Sequence, residues 1–401
     1  MTGHIRSGSL KEAIFFLSGY LHAVQKLLAG LALSFLVTTP GVSFADVDDY
    51  LAQQEPSWLK LAASIEDEKQ PALHLQFDDQ PVHTTRSWAF VFDNDILVPG
   101  HRDQDYTYGI NFTQTGDTAE EALFALNRPL EILDRWIGFE HNDIAIQTTY
   151  SREIGLFGFT PEDITQSEAN PNDRPYASLI YLSSSREQVD LVDNLAWKST
   201  LTIGLLGTGL VGELQNITHK NTSSKEAKGW HNQISDGGEL TARYLIARQR
   251  YYESNSDNLE IKSTLQASVG YLTEASWSLS MRAGQIHSPW ASFNPELASY
   301  GEKSSYSSDA KSVNEQYFWA GVAIKARAYN AFLQGQFRDS AVTYDQHELR
   351  PILVEAWMGY TFAFKQGYRI SYVLRGHSSE IERGAGDRNL VWGGVIIAYS
   401  I

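Results

Sequence analysis

Residues 259–271 read LEIKSTLQASVGY, and this stretch decides the fold class. Apolar and polar residues alternate along it, with Leu259, Ile261, Leu265, Ala267, Val269 and Tyr271 on one side and Glu260, Lys262, Thr264, Gln266 and Ser268 on the other. Strict alternation predicts a β-strand with two different faces. The run is longer than the ~5–6 residues typical of soluble strands and matches the ~9–11 residues that a tilted strand needs to cross a bilayer.

The same pattern recurs through the second half of the chain, in the segments 275–283, 318–328, 354–364 and 389–401. Their polar faces carry Lys, Glu, Gln and Arg, which a dry core tolerates only when they are paired. A closed barrel with lipid outside and a polar lumen suits both faces and leaves no open sheet edge in the membrane. We therefore predict an all-β protein, a twelve-stranded antiparallel transmembrane β-barrel over residues 86–401 with long extracellular loops, one of which carries a short helix. A soluble β-sandwich is the alternative, and the strand length argues against it.

The first 85 residues differ from the rest. Basic residues precede the apolar run LLAGLALSFLV and the small residues that end at Ala45, which is the plan of a secretory signal peptide over residues 1–45. A membrane anchor is the alternative, but the apolar run is shorter than the ~20 residues that a spanning helix needs. The polar residues 46–85 are predicted to be an N-terminal periplasmic extension.

Composition narrows the range of functions. The formal net charge is −16, whereas nucleic-acid binding requires a basic surface, so we expect no nucleic-acid partner. The chain contains no Cys, which excludes disulfides, thiol catalysis and thiolate metal sites. Nothing in the sequence implies an oligomer.

Strand order places three polar loops at one end of the predicted barrel. If the N-terminus lies in the periplasm, the loops 95–105, 151–174 and 207–238 are extracellular. Helical spacing is seen at 118–139, interrupted by Pro129, and at 209–220. The same count places the long segment 287–314 on the periplasmic side, where barrel loops are usually short.

An acidic cluster lies in the first of these loops, where residues 92–109 read FDNDILVPGHRDQDYTYG. Crowded Asp side chains and an Asn amide oxygen suit a hard cation such as Ca²⁺, which takes six to eight oxygen ligands. Asp95, Asn94 and Asp105 are the candidate ligands, and Zn²⁺ is less favoured because Cys is absent. The alternative is a solvated Asp/Asn turn around Pro99 and Gly100.

Other candidate site residues lie in the same three loops. His219 and Gln215 share one face of the predicted helix at 209–220. Lys220 and Lys225 are candidates for binding an anionic substrate, and so is Arg174, for which a structural clasp is the alternative. Thr107 is expected to face the lumen, because Tyr108, Ile110 and Phe112 should take the lipid side.

Three motifs together resemble one family, the outer-membrane lipid A 3'-O-deacylases (LpxR-like). They are NDI…RDQDYTYG at 94–109, GFTPEDI…NDRPYAS at 158–178, and a third that reads here as Gly204, Gly207, Gln215, Asn216, His219, Gly229, Trp230 and Gln233. The resemblance covers residues 85–401. It implies an outer-membrane enzyme, exported by its signal peptide, that hydrolyses the 3'-acyloxyacyl ester of lipopolysaccharide in the outer leaflet.

The resemblance also implies a mechanism. Asn94, Asp95, Thr107, Gln215 and His219 match the family's active site. His219 would be the general base that activates water, and bound Ca²⁺ would polarise the ester carbonyl.

The chain departs from the family pattern at Ile96, where some members have an acid, and at Lys225, where some have a glutamate. The resemblance therefore leaves the partner of His219 open. Two other functions stay open on the residues alone: a non-catalytic binding or channel barrel, and an outer-membrane phospholipase with a Ser nucleophile.

Overall fold

A computed structural model describes residues 86–400, except 99–104, 117–118, 120–124, 140, 142–145, 223, 253, 255, 257 and 304–312. The predicted signal peptide and N-terminal extension lie outside the described residues. The strands are β1 (Ser87–Asn94), β2 (Asp105–Thr115), β3 (Ile146–Thr160), β4 (Ala177–Asp190), β5 (Leu195–Leu206), β6 (Glu239–Tyr252), β7 (Leu259–Gly270), β8 (Leu272–Gln285), β9 (Glu315–Asn330), β10 (Ile352–Ala363), β11 (Tyr368–His377) and β12 (Leu390–Ser400). The helices are α1 (Asn127–Ile137), α2 (Gly209–Thr222) and α3 (Ala331–Gln334).

The twelve strands form one closed antiparallel barrel in which each strand pairs with its sequence neighbours. Closure is made by β1 and β12, whose register pairs Ser87 with Ser400 and Asn94 with Gly393. The predicted twelve-stranded barrel is therefore confirmed. We call the end at which β1 finishes and β2 begins the upper rim, and the end at which β1 begins and β12 finishes the lower rim.

Alternation of side chains follows the prediction on most strands. On β10, Val354, Met358 and Phe362 are exposed on the outer wall, whereas Glu355 and Trp357 are buried inside. Tyr271 is an exception to the predicted pattern. The strand ends at Gly270, where φ is +132°, and Tyr271 turns into the interior, where it is 1% exposed.

One predicted loop boundary and one predicted helix interruption are wrong. The loop expected at 151–174 begins only after Thr160, because β3 runs far beyond the edge of the predicted strand. Pro129 does not interrupt a longer helix but lies in the first turn of α1, where its missing N–H is not needed. Among the described residues no helix is both long and apolar enough to cross a membrane.

The segment 286–303, which follows β8 at the lower rim, runs into the barrel; we call it the plug. Its residues from Ser288 to Lys303 are nearly all buried. Asn111 and Tyr181 on the inner wall donate hydrogen bonds to the carbonyl of Gly301, and Tyr300 stacks against Tyr106 at 6.3 Å. The segment that follows β8 is therefore unusually long because the plug fills the lumen.

The charges of the inner wall are compensated in pairs. Lys262 meets Glu296 of the plug at 2.9 Å, and Arg243 meets Glu302 of the plug at 2.8 Å. Arg327 contacts Glu274 at 2.6 Å. Buried ions of this kind are costly when they are unpaired, so the first two pairs tie the plug to the wall, and the third joins β8 to β9 within the wall.

Candidate functional site

The turn that follows β1 lies on the outer side of the barrel wall. β1 ends at Asn94, and a 3₁₀ turn over Asp95–Leu97 begins there. Leu97 packs over Gly393, where a side chain would not fit, and its carbonyl accepts a hydrogen bond at 2.5 Å from Tyr372 on the outer wall. The chain thus turns outward over β12 directly after Asn94.

Asn94 is fixed by both ends of its amide. The Oδ1 atom accepts from the backbone N–H of Ile96 at 2.7 Å, and the Nδ2 atom donates to the carbonyl of Thr107 at 2.6 Å. Its neighbour Asp93 points into the lumen, where it pairs with Lys303 of the plug. Asp95 is 1% exposed at the start of the turn. Asn94 is the N-cap of this short turn, and Asn is a favoured N-cap residue, which explains why Asn precedes Asp here.

A bulge in β2 changes the predicted direction of Thr107. The register with β3 shifts between Tyr106 and Tyr108, and these two residues lie on opposite faces of the wall. The Thr107 hydroxyl donates to the Thr160 hydroxyl at 2.8 Å, on the side of β3 opposite to the inward-facing Phe159. The prediction that Thr107 faces the lumen is therefore wrong, because the bulge adds one residue to the alternation.

Helix α2 packs on the outer face of β2, β3 and β4. Tyr108 donates a hydrogen bond to the carbonyl of Val211 at 2.5 Å, and Val211 lies over Gly158, where a Cβ would come within 2.7 Å of it. Leu214 packs against the same cluster as Ile110 and Ile180 of the wall. The short helix predicted at 209–220 is thus present, and it lies outside the barrel rather than above the lumen.

Gln215 lies on the buried side of α2, and one hydrogen bond fixes its side chain. Its Oε1 accepts from the indole N–H of Trp230 at 2.7 Å, and the side chain is 2% exposed. The Trp230 ring rests on Gly212 and Gly158 and packs on Tyr176 at 4.9 Å. Because Oε1 is engaged, the amide presents its Nε2 as a donor, and this atom is buried with no hydrogen-bond partner among the described residues.

His219 lies one turn beyond Gln215 and is 6% exposed. Its Nδ1 is 2.5 Å from the carbonyl oxygen of Lys225. A carbonyl only accepts, so Nδ1 carries the proton and Nε2 is the basic nitrogen. The loop is held in place by Asn216, whose amide donates to the carbonyl of Ala227 at 3.0 Å and accepts from its N–H at 2.9 Å. The backbone of Lys225 therefore orients the imidazole.

Asp105 and Arg174 belong to an ion network across the upper mouth of the barrel. Arg388 contacts Asp105 at 2.7 Å, and Arg174 contacts Glu380 at 2.6 Å while stacking on Phe159. Burial alone would lower the pKa of Arg174, but the carboxylates of Glu380 and Asp105 outweigh it and raise this pKa above its ordinary value. Arg174, at 1% exposed, is not placed to contact a substrate, which corrects the predicted role in favour of the structural clasp.

Asp105 likewise does not fit the predicted metal site, because the cations of Arg388 and Arg174 already compensate its charge. Within the described ranges no group of three or more His, Cys, Asp or Glu side chains is placed to hold a metal ion. The remaining candidate donors are the Asn94 amide oxygen and the Thr107 hydroxyl at the outer upper rim, and the carboxylate of Asp95, which is buried at the start of the turn. All are oxygen atoms, and this donor set suits Ca²⁺ better than Zn²⁺.

The predicted site residues thus separate into two groups. Asn94 and Thr107 lie on β1 and β2, between the Asp95 turn over β12 and helix α2, which carries Gln215 and His219 and lies over β2–β4. Lys220 in the last turn of this helix and Lys225 after it are exposed. Arg174 and Asp105 close the mouth of the lumen instead. The roles of Trp230, Asn216 and the Lys225 carbonyl were not predicted.

Comparison with known proteins places the chain. The family model described as "Outer membrane protein LpxR" matches residues 60–401. LpxR from Salmonella typhimurium is 16% identical, with a TM-score of 0.59, over 79% of this chain and 100% of that chain. The β domain of the Bordetella autotransporter BrkA matches more weakly, at 10% identity and a TM-score of 0.39 over 79% of this chain and 100% of that chain. No curated protein matches. The chain belongs to the LpxR family of outer membrane proteins.

Proposed function

We propose that this protein is a lipid A deacylase that hydrolyses the 3'-acyloxyacyl ester of lipopolysaccharide in the outer leaflet. The observation that carries the proposal is the position of His219 and Gln215 on a helix packed against the outer, lipid-facing wall. A membrane lipid lies against the outer wall of a barrel. An enzyme that acts on this lipid therefore needs its site on that wall rather than in the lumen.

The outer wall below the site suits an acyl chain. Phe90 and Phe92 on β1 and Phe112 on β2 are 40%, 36% and 38% exposed, and Asn94 lies directly above them on the same face of β1. An acyl chain along these rings would leave its ester at the level of Asn94 and Thr107. The charged part of the lipid would then meet Lys220 and Lys225, whose cations complement phosphate groups.

His219 supplies the base in this proposal. Its Nδ1 proton is held by the Lys225 carbonyl, so Nε2 accepts the proton of the attacking water as the water oxygen bonds to the ester carbonyl carbon. The imidazolium then protonates the leaving alkoxide oxygen when the ester C–O bond breaks. Water and ester are consumed, and a free fatty acid and a hydroxyl are formed.

Gln215 supplies a fixed donor for the negative charge that develops on the carbonyl oxygen. Its Nε2 is already oriented by the bond from Trp230 to Oε1, so little reorganisation is needed when the charge forms. Asp95 and the amide oxygen of Asn94 would hold Ca²⁺, which when bound supplies further stabilisation of that charge.

Mass spectrometry of lipid A tests the proposal. Cells producing the protein should lose the mass of the 3'-acyloxyacyl group from lipid A, and cells producing His219→Ala should not. His231→Ala is the matched control, because His231 is an exposed histidine in the same loop and should leave activity unchanged. Unmodified lipid A with the wild-type protein folded in the outer membrane would refute the proposal.

A further inference from the structure

Helix α1 covers a polar patch on the outer wall of the barrel, on the lower half of β4, β5 and β6. Its Asp134 accepts hydrogen bonds from Ser199 at 2.8 Å and Tyr244 at 2.6 Å, and it lies 3.2 Å from Arg186. These wall residues face outward, because their neighbours in the strands, such as Lys198 and Arg243, are buried in the lumen. Without the helix, a buried ion pair and several hydroxyls would face hydrocarbon.

The opposite face of α1 carries both apolar and basic side chains. Ile132 and Trp136, four residues apart, are 62% and 78% exposed. Arg128 and Arg135 are exposed on the same side of the helix. A bulky apolar pair flanked by arginines is the arrangement by which an interfacial helix lies in the headgroup region of a bilayer.

The surrounding wall adds to this basic character. Arg248 and Arg250 lie on the outward face of β6 near its lower end, where both are half-buried. Leu191 and Val192 in the turn between β4 and β5 are 53% and 64% exposed. The whole region is on the opposite half of the barrel from His219, so the lipids that reach it belong to the other leaflet.

We propose that α1 is an interfacial helix that binds anionic glycerophospholipids of the leaflet at the lower rim. Ile132 and Trp136 enter the boundary between headgroups and acyl chains, and Arg128 and Arg135 contact the phosphates. The occupant is a lipid surface because the helix is continuous with the lipid-facing wall, and it is anionic because cations border the apolar pair. This inference stands independently of the proposed hydrolysis.

The absence of Cys from the chain allows a direct test, because a single introduced cysteine can be labelled alone. A nitroxide on Ile132→Cys, in bilayers containing phosphatidylglycerol, should collide more with oxygen than with a water-soluble nickel chelate. The control is Arg383→Cys, since Arg383 is an upper-rim residue with a side chain 65% exposed, and its label should favour the chelate. If the label at position 132 behaves as the label at 383 does, the helix does not lie in lipid and the proposal fails.

A second measurement tests the preference for anionic lipid. In detergent micelles, native mass spectrometry should show tighter binding of phosphatidylglycerol than of phosphatidylcholine. The double substitution Arg128→Gln/Arg135→Gln should weaken the former by about 30-fold, since one basic residue near a lipid surface contributes roughly a factor of five. Arg383→Gln should leave the affinity unchanged. Equal binding of both lipids, or an unchanged affinity in the double variant, overturns the proposed preference.

Discussion

The hydrogen bond between Trp230 and Gln215 allows folding and catalysis to be measured separately. Gln215→Met keeps the volume of the side chain and removes both the acceptor for the indole N–H and the donor Nε2. Because both side chains are buried, the orphaned indole should cost about 1–3 kcal/mol of unfolding free energy. Loss of one fixed donor for a developing oxyanion should lower kcat by about 10²–10³-fold, or about 2.7–4 kcal/mol.

The double variant Gln215→Met/Trp230→Phe separates the two effects. When both partners of a buried hydrogen bond are removed, much of the desolvation cost disappears. The double variant should therefore lose about 1–3 kcal/mol less unfolding free energy than the two single variants lose in sum. Its kcat should stay as low as that of Gln215→Met.

Two assays complete the cycle. Urea-induced unfolding in detergent micelles, followed by tryptophan fluorescence, gives stability, and release of fatty acid from purified lipopolysaccharide gives the rate. If the double variant regains activity together with stability, the loss in Gln215→Met came from a displaced α2. If Gln215→Met keeps kcat within about threefold of the wild type, Gln215 does not act on the oxyanion.

Three further predictions concern the metal, the ion network and the lipid-facing wall. EDTA should abolish activity, and Asp95→Asn should raise the Ca²⁺ concentration needed for half-maximal rate, whereas Asp105→Asn should lower stability instead; full activity in EDTA would exclude the metal. The cations of Arg327 and Arg174 outweigh the effect of burial and hold the pKa of Glu380 well below its ordinary value. The stability that this carboxylate contributes is complete at pH 7, and it decreases below the unfolded pKa of ~4.3 as the pH falls toward the folded pKa. Glu380→Gln should accordingly lower the unfolding free energy, measured by urea titration, by ~3–5 kcal/mol at pH 7 and by less at pH 3. A loss that does not change with pH would contradict this prediction. Met358→Arg, in the middle of β10 and 50% exposed on the outer wall, should lower the unfolding free energy by ~2–4 kcal/mol in the same assay. Val269→Arg, near the end of β7, should lower it by ~1 kcal/mol or less. Equal costs would mean that depth in the membrane does not determine the cost of a charge on the outer wall.

The strands could be predicted because alternation is a local property. On β10 an apolar outer face alternates with an inner face that carries Glu355 and Thr361, although Trp357 also faces inward, and runs of this kind predict closure when no edge can remain open. The helix at 209–220 could be predicted from its local spacing in the same way. The sequence pattern does not show on which side of the wall the helix packs, because that depends on Gly158 and Tyr108 in strands far along the chain.

The parts of the site that were missed depend on contacts with no local signature. Thr107 was assigned to the lumen because one bulge residue reverses the alternation. Asp105 looked like a metal ligand because its partner Arg388 is 283 residues away in the sequence. The orienting group of His219 is a backbone carbonyl, which every residue has, so the side chain of Lys225 gave no indication of it.

The plug has a consequence for the cell that makes this protein. A lumen packed by the plug should pass solutes poorly, so we expect that the copy number is not limited by the damage that an open pore would cause. The packed interior is linked through Lys303 to Asp93, the residue immediately before Asn94. We therefore expect the interior to be selected for stiffness beneath the reacting surface rather than for the passage of solutes.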